Sequence, residues 1–200
     1  MERSIIESQH PTPAWLAHLG QPVASRLLAW EQAQADALLA DVFGYHAVQL
    51  GWPELQALRQ NRMPHRWQAG AEFEWTQEHK ALSGANVHAM QQPQTPNAEN
   101  GEPIGPDVWL DSRAWPWQAD SLDLVVLPHT LERSADPHAC LREVERVLIP
   151  EGQVLITGLN PLSWWGLQQA RAQDAPGQGQ TLIAYRRLRD WLRLLGFEVQ

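Results

Sequence analysis

A histidine that follows a predicted buried strand is the side chain best suited to proton transfer. His129 stands two positions after the apolar run Leu122–Leu127, and an imidazole titrates near neutral pH. We therefore treat His129 as a candidate catalytic general base for a substrate that arrives protonated. The alternative is a structural histidine, hydrogen-bonded to a neighbouring loop. Glu132 could share a metal ion with His129, but no third ligand is evident, so no metal site is predicted.

Two other reactive side chains have simpler structural interpretations. Cys140 and His138 lie two positions apart in a predicted helix, and helical neighbours at that spacing do not face each other. Cys140 also falls on the apolar stripe of the helix, which predicts a buried thiol. Asp123 lies inside a strand, where we expect its carboxylate to bond neighbouring backbone or to face the edge of the site. No nucleophile–base pair is predicted.

A strand–helix–strand unit must position the candidate base. Leu122–Leu127 is typical of a parallel strand buried on both faces. Asp136-Pro137 predicts a helix start, because Asp caps helices and Pro suits the first helical position. Apolar residues then recur at helical spacing as far as Leu148. Ile149–Gly152 has turn composition, and Gln153–Leu159 is a second buried strand.

The rest of the chain predicts covering helices and further strands. A helix over Val23–Val42 should turn an apolar stripe inward, formed by Leu27, Trp30, Leu38, Leu39 and Val42. The other predicted elements are a short helix from Thr12-Pro13 to Gly20, the strand Tyr45–Gly51, a short helix Pro53–Asn61 with Leu55 and Leu58 inward, strands at His65–Trp67, Phe73–Gln77 and Val108–Asp111, a helix Tyr185–Leu195, and the start of a strand at Phe197–Gln200. Residues 80–106 lack periodicity and are rich in Gln, Asn, Pro, Gly and Ala, which predicts a mobile insertion loop within one domain of residues 1–200.

Apolar strands that alternate with helices predict an α/β sandwich with a mostly parallel central sheet and helices on both faces. Tyr45–Gly51, Leu122–Leu127 and Gln153–Leu159 are expected as adjacent central strands. Ligands of such sheets bind outside the carboxyl ends of the strands, where the strand order reverses. Four segments should therefore converge there, namely Gly51-Trp52, Asp111-Ser112, Leu127–Thr130 and Leu159–Pro161.

Length and composition narrow the class of protein. The chain has 200 residues, enough for one domain with a full core. A net charge of -8 argues against a general nucleic-acid binder. The single cysteine cannot form an internal disulfide, and neither a signal-peptide pattern nor an apolar run of membrane-spanning length is present. We therefore expect a cytoplasmic protein that binds a small molecule and no membrane; its oligomeric state is not predicted.

An ordered set of short motifs runs from about residue 107 towards the end of the chain. It comprises Asp111, Trp115-Pro116-Trp117, Ser121–Val125, Asp136-Pro137 and Val147–Gly152. In order and spacing this set resembles the second half of a class I S-adenosylmethionine-dependent methyltransferase, and most closely the type 11 group. The resemblance covers roughly half of the chain. It implies a Rossmann-like methyltransferase fold with S-adenosylmethionine as cofactor.

The resemblance also implies which residues would meet the cofactor. Asp111 would accept a hydrogen bond from the adenine amino group, and the backbone amide of Ser112 would meet a ring nitrogen of the adenine. Three residues after the central strand would lie beside the methionine part, namely Pro128, His129 and Thr130. The family also places a helix over the cofactor site, which Val23–Val42 resembles; the alternative is a helix that merely covers the sheet.

Two family features are altered in this sequence. The glycine-rich loop that normally follows the first strand keeps only Gly51, because Trp52 and Pro53 come next. Glu72 and Glu74 are the nearest candidates for the acid that holds the cofactor's ribose, surface acids being the alternative. Family members also add a further strand beyond the position of Gln200, so we expect a sheet without it, or a fragment of a longer protein.

These residues bear on three possible functions. A small-molecule methyltransferase would act mainly by holding the acceptor in line with the methyl group. The alternative is a binding or regulatory module that keeps the methyltransferase fold and has lost the cofactor, which the altered loop at Gly51 favours. A dinucleotide-binding oxidoreductase is disfavoured, because Gly-x-Gly-x-x-Gly is absent.

Overall fold

The centre of the protein is a parallel β-sheet. A computed structural model describes residues 21–74, 106–161 and 182–199, and within them five parallel strands form one sheet in the order β3-β2-β1-β4-β5. The strands are β1 His46–Leu50, β2 His65–Ala71, β3 Val108–Leu110, β4 Leu122–Pro128 and β5 Leu148–Thr157. The predicted parallel sheet is confirmed, with β1, β4 and β5 adjacent. Strand order reverses between β1 and β4, which is where such sheets bind ligands.

Helices cover both faces of the sheet, as predicted. They are α1 Gln21–Leu39, α2 Thr130–Arg133, α3 Pro137–Val147 and α4 Tyr185–Leu194. One hydrophobic cluster joins Val48 and Val125 of the sheet to Val144 of α3 and Leu192 of α4. A second cluster, on the opposite face, joins the sheet to α1 and to the segment after β1 through Ala47, Leu124, Val126, Ala35, Leu39 and Leu55. None of the helices in the described ranges is long and apolar enough to cross a membrane.

Helix α3 begins where the sequence predicted. The Asp136 carboxylate accepts a hydrogen bond from the Ala139 amide at 2.9 Å, and Pro137 occupies the first turn. Its apolar stripe is buried and consists of Cys140, Leu141, Val144 and Val147. A cap of this kind contributes about 1 kcal/mol, so local sequence is sufficient to set this end of the helix.

Helix α1 is rotated relative to the prediction. Trp30 and Leu38 were expected inside, but 61% and 58% of their surfaces are exposed. The buried positions include Glu31 and Gln32 instead. Both have partners that compensate for their burial: Glu31 binds His129, and Gln32 exchanges hydrogen bonds with the Gln56 backbone. Buried hydrogen bonds therefore determine the orientation of α1, which apolar spacing alone does not reveal.

The predicted helix Pro53–Asn61 is wrong, because turns occupy this segment. The side-chain amide of Gln49 is buried and donates to the carbonyls of Gly51, Trp52 and Leu55. Its oxygen accepts from the Ala57 amide at 2.9 Å. A side chain that takes up so many backbone groups removes the need for a helical hydrogen-bond ladder. Leu55 and Leu58 do face inward, as predicted.

Three other predictions at element boundaries are wrong. Phe73–Gln77 was expected as a strand, but Glu72–Glu74 form a 3₁₀ turn and residues 75–77 lie outside the described ranges. Ile149–Gly152 was expected as a turn between elements, but β5 already begins at Leu148 and absorbs these residues as an irregularity opposite β4. The last predicted strand, Phe197–Gln200, has no regular structure at residues 197–199.

Two predicted segments fall largely on parts of the chain that are not described. These are the short helix from Thr12-Pro13 and the insertion loop 80–106, of which only Pro106 is included. Asp123, by contrast, behaves as predicted. Its carboxylate accepts from the amides of Tyr45 and His46 at 2.9 Å each, and so fixes the entry of the chain into β1.

Candidate functional site

Four loops meet at the carboxyl edge of the sheet. The Thr130 hydroxyl donates to the Leu50 carbonyl at 2.5 Å and so joins the ends of β4 and β1. The hydroxyls of Ser112 and Ser134 lie 2.9 Å apart and join the segment after β3 to the end of α2. The Leu159 amide donates to Glu132 at 2.5 Å, which adds the end of β5. The structure thus brings the four predicted segments together.

His129 lies at the centre of this edge and is fully buried. It precedes α2 and adopts a left-handed backbone conformation, with φ 52°. Its Nε2 is 2.7 Å from Oε1 of Glu31 on α1, and its Nδ1 is 3.1 Å from Oε2 of Glu132 on α2. We call Glu31, His129 and Glu132 the His129 cluster. Both ring nitrogens are occupied, so His129 can accept a proton from a substrate only if one of these hydrogen bonds opens.

The His129 cluster favours a protonated imidazole. Burial lowers the pKa of His129 strongly, but the hydrogen bonds and charges of Glu132 and Glu31 outweigh it and raise this pKa to about 9. At neutral pH the imidazole between the two carboxylates then carries a positive charge. The resting histidine is therefore a cation that ties two carboxylates together.

The geometry of the cluster also explains why it does not chelate a metal ion. Glu31 and Glu132 bond opposite edges of the imidazole ring, so the two carboxylates and a ring nitrogen cannot converge on one ion. In residues 21–74, 106–161 and 182–199 no group of three or more His, Cys, Asp or Glu side chains has the arrangement that would hold a metal.

A cleft of about 320 Å³ opens beside the cluster, between α1 and the ends of β4 and β5. Its walls are mainly apolar, with Leu38, Leu55 and Leu155 among them. Among the described residues that line the cleft, Glu31 is the charged one. The exposed indole of Trp30 lies at the same wall. The Thr157 hydroxyl donates to Oε2 of Glu31 at 3.1 Å and so helps to fix the carboxylate in the wall of the cleft.

The loop after β1 is closed by its own side chains. Gly51 has φ 87°, and a Cβ at this position would lie 3.2 Å from the Thr130 hydroxyl and 3.7 Å from Oε1 of Glu74. The Trp52 amide donates to Glu74 at 2.9 Å, and Glu74 pairs with Arg133 at 2.8 Å. The Trp52 side chain is 1% exposed and stands edge-on to His129, with ring centroids 5.3 Å apart.

The ends of β2 and β3 carry carboxylates around a backbone amide. Glu72 directly follows β2 and accepts from the Ser112 amide and hydroxyl at 2.7 Å each. Asp111 directly follows β3 and pairs with Arg113 at 2.7 Å. The Arg113 hydrogen bond is the main reason that the pKa of Asp111 lies below its usual value. Both carboxylates therefore lie at the carboxyl edge of the sheet, each bound by a neighbouring residue.

The residues after β2 and β3 and the loop after β1 differ in how well they suit the implied cofactor. The donor and acceptor set of Glu72, Asp111 and Ser112 matches a ribose diol and an adenine amino group, although the Ser112 amide is bound to Glu72 here. The space at Gly51, where the family has its glycine-rich loop, is crowded by Glu74 and by Thr130, one of the residues expected beside the methionine part. The residues present fit the nucleoside half of S-adenosylmethionine, and the methionine half would require the loop after β1 to rearrange.

Glu31 is the site residue that sequence reasoning missed. It lies 98 positions before His129 and sits between two residues, Trp30 and Gln32, that gave no sign of its partner. The only local signal in the sequence is a glutamate on a helix whose apolar stripe is weak.

Part of the chain matches a known domain family. A family model described as a methyltransferase domain, the type 11 group, matches residues 79–156. Uncharacterized protein YafS of Escherichia coli strain K12 is 39% identical over 102 residues, which is 50% of this chain and 41% of that protein. The chain thus spans less than half the length of this curated relative.

Solved structures agree on the fold. The chain is similar to an S-adenosylmethionine-dependent methyltransferase from Thermotoga maritima, with a TM-score of 0.56, 15% identity, and coverage of 89% of this chain and 76% of that one. It is also similar to a complex of a Haloferax volcanii methyltransferase with the Trm112 methyltransferase activator, with a TM-score of 0.57, 22% identity, and coverage of 92% and 76%.

The matched domain and the shared fold make this chain similar to class I methyltransferases, the class that uses S-adenosylmethionine as its cofactor. Within that class the match is to the type 11 group, as the motifs from Asp111 to Gly152 predicted.

Proposed function

We propose that the protein is an S-adenosylmethionine-dependent methyltransferase that acts on a small-molecule acceptor. The main observation in support of this proposal is the arrangement of Asp111, Ser112 and Glu72 after β3 and β2. It places two carboxylates and one backbone amide at the ends of β2 and β3, on the same carboxyl edge of the sheet as the switch point. When bound, the cofactor supplies an electrophilic methyl group; the protein's contribution is positioning and water exclusion.

The roles of the remaining site residues follow from their positions. Gly51, Pro128 and Thr130 surround the switch point, since the Thr130 hydroxyl bonds the Leu50 carbonyl and approaches the Pro128 carbonyl. His129 has both ring nitrogens engaged by carboxylates. We therefore propose that His129 acts through Glu31, as a positioning residue that holds this carboxylate at the cleft.

A second candidate function is a binding module with the methyltransferase fold and no cofactor. The observation in its favour is the loop after β1, where Trp52, Glu74 and Thr130 fill the space that the family's glycine loop keeps open. In this case the cleft and the His129 cluster would still be present, but adenosine ligands would not bind.

Calorimetric titration with S-adenosylhomocysteine separates the two functions. Wild-type protein should bind this ligand, and Asp111→Ala should weaken binding roughly tenfold to a hundredfold, because a hydrogen bond to a charged group is lost. Asp190→Ala removes an exposed carboxylate on α4 and is the matched control. Absence of binding at millimolar ligand would establish the second function, and tight binding unaffected by Asp111→Ala would locate the ligand elsewhere.

A further inference from the structure

We propose that the cleft beside α1 binds a small organic cation, an amine with an apolar body, and that Glu31 is its counterion. As a binding site this inference stands on the cleft itself. As an assignment of the acceptor's chemical class it rests on the proposed methyl transfer.

The first argument is the charge of the cleft. Among the described lining residues Glu31 is charged and no lysine or arginine is present. Behind it, His129 is shared between Glu31 and Glu132. One imidazole can supply at most one positive charge between two carboxylates, and the described lining of the cleft contains no cation. A ligand of positive charge is the one this wall complements.

The second argument is the free hydrogen-bonding capacity of Glu31. One oxygen accepts from His129 Nε2 at 2.7 Å and the other from the Thr157 hydroxyl at 3.1 Å. A carboxylate has about four lone-pair positions, so two remain after these bonds. The two protein donors fix the carboxylate, and Glu31 lines the cleft, so its remaining acceptor positions are available to a cation bound there.

The third argument is the aromatic and apolar surface at the same cleft. Trp30 is 61% exposed and Leu38 is 58% exposed, although both lie on a helix that packs against the sheet. Both line the cleft, together with Leu155 and Ile156. An indole face attracts cations, and the leucines accommodate a hydrocarbon body. This combination of one carboxylate, one indole and aliphatic walls is suited to an organic amine rather than to a sugar or a phosphate.

The fourth argument is location. Trp52, which follows Gly51, stands edge-on to His129, and the neighbouring Thr130 bonds the Leu50 carbonyl. The cleft is lined by Leu55 and Ala57 of the segment after β1 and by Val126 of β4, so it adjoins that loop. A ligand in the cleft would lie next to the switch point of the sheet.

The proposal is tested by measuring the binding of three probes without cofactor, by calorimetry and by saturation-transfer NMR. The probes are phenethylamine, 2-phenylethanol and 3-phenylpropanoate. These probes share a phenyl ring and differ in charge. We expect saturable binding of phenethylamine and at least roughly tenfold weaker binding of the alcohol and the acid, the range for a charge-assisted hydrogen bond. Equal binding of all three would overturn the proposal in favour of a merely apolar cleft. Absence of phenethylamine binding would also overturn it, since a cleft already covered by another segment of this chain gives that result.

Substitutions at Glu31 and Trp30 test whether the amine binds in this cleft. Glu31→Gln should weaken phenethylamine binding roughly tenfold or more, whereas Glu145→Gln, an exposed position on α3, should leave it unchanged. Trp30→Ala alters an exposed side chain and keeps the test valid even if Glu31→Gln fails to fold; it should weaken amine binding several-fold. Unchanged binding in Trp30→Ala and in folded Glu31→Gln would refute the site.

Titration of the same proteins with S-adenosylhomocysteine separates the two proposals. Amine binding without adenosine binding leaves the cation site valid and removes the methyltransferase function. Adenosine binding without amine binding leaves the proposed methyltransferase function valid and removes the cation site.

Discussion

The imidazole of His129 and the carboxylate of Glu31 meet at 2.7 Å although 98 residues separate them in the chain. This contact joins the helix that precedes the sheet to the end of the central strand β4. Glu132 completes the contact from the other side of the ring at 3.1 Å. Because His129 is buried and bound to both carboxylates, its protonation is coupled to the stability of the fold.

The raised pKa of His129 predicts a pH-dependent stability. Its folded value of about 9 exceeds the ordinary value of 6.5, so the folded state binds the proton more tightly. The resulting stabilisation, about 3 kcal/mol, should be complete below about pH 6.5 and should disappear as the pH rises through about 9. Urea unfolding across this range, compared with His129→Asn, measures it. Identical pH profiles in the two proteins would contradict the proposed cluster.

Asp123 should matter for stability rather than for activity. Its carboxylate holds the amides of Tyr45 and His46 at the entry to β1, so Asp123→Ala should lower the free energy of unfolding by about 1.5–3 kcal/mol. Chemical denaturation gives the value, with Asp190→Ala as control. A loss no greater than in the control would show that these hydrogen bonds are replaced by water without cost.

The two tryptophans on either side of the cluster should respond differently to truncation. Trp52 is 1% exposed and lies in the hydrophobic cluster beneath α1, so Trp52→Ala should cost about 3–5 kcal/mol of stability. Trp30 is exposed, and Trp30→Ala should cost less than about 0.5 kcal/mol.

Truncation of Trp52 should not weaken cofactor binding, although it should lower the stability of the fold. Trp52→Gly removes bulk from the loop after β1, and the affinity for S-adenosylhomocysteine should stay unchanged or increase in the fraction of protein that remains folded. Calorimetry at low temperature, where the variant is folded by circular dichroism, provides the measurement. Weaker binding in folded Trp52→Gly would indicate that the indole itself contacts the ligand.

Cys140 should be inert in the native protein. It is fully buried on α3, and burial is the main cause that raises the pKa of its thiol. Reaction with a thiol-specific disulfide reagent should therefore occur only through opening of the structure and become rapid in denaturant. Immediate modification of the folded protein would show that α3 is not packed as described.

Local sequence determined the strand–helix–strand unit from Leu122 to Thr157. The apolar runs have the composition of buried parallel strands, and the Asp136-Pro137 start of α3 depends only on residues within one turn. The parallel sheet and the class of fold could also be predicted, because an ordered series of motifs extends over half of the chain. These features depend on neighbours in sequence, which a reader of the sequence can see.

Tertiary structure decided the face of α1 and the composition of the site. Spacing suggested Trp30 and Leu38 as core residues, yet Glu31 and Gln32 are buried, because His129 and the Gln56 backbone satisfy their polar groups. The turns after β1 likewise depend on the Gln49 side chain rather than on local helix propensity. A buried polar residue is stable only with a partner, and these partners come from distant parts of the chain or from across a loop, where sequence spacing carries no information.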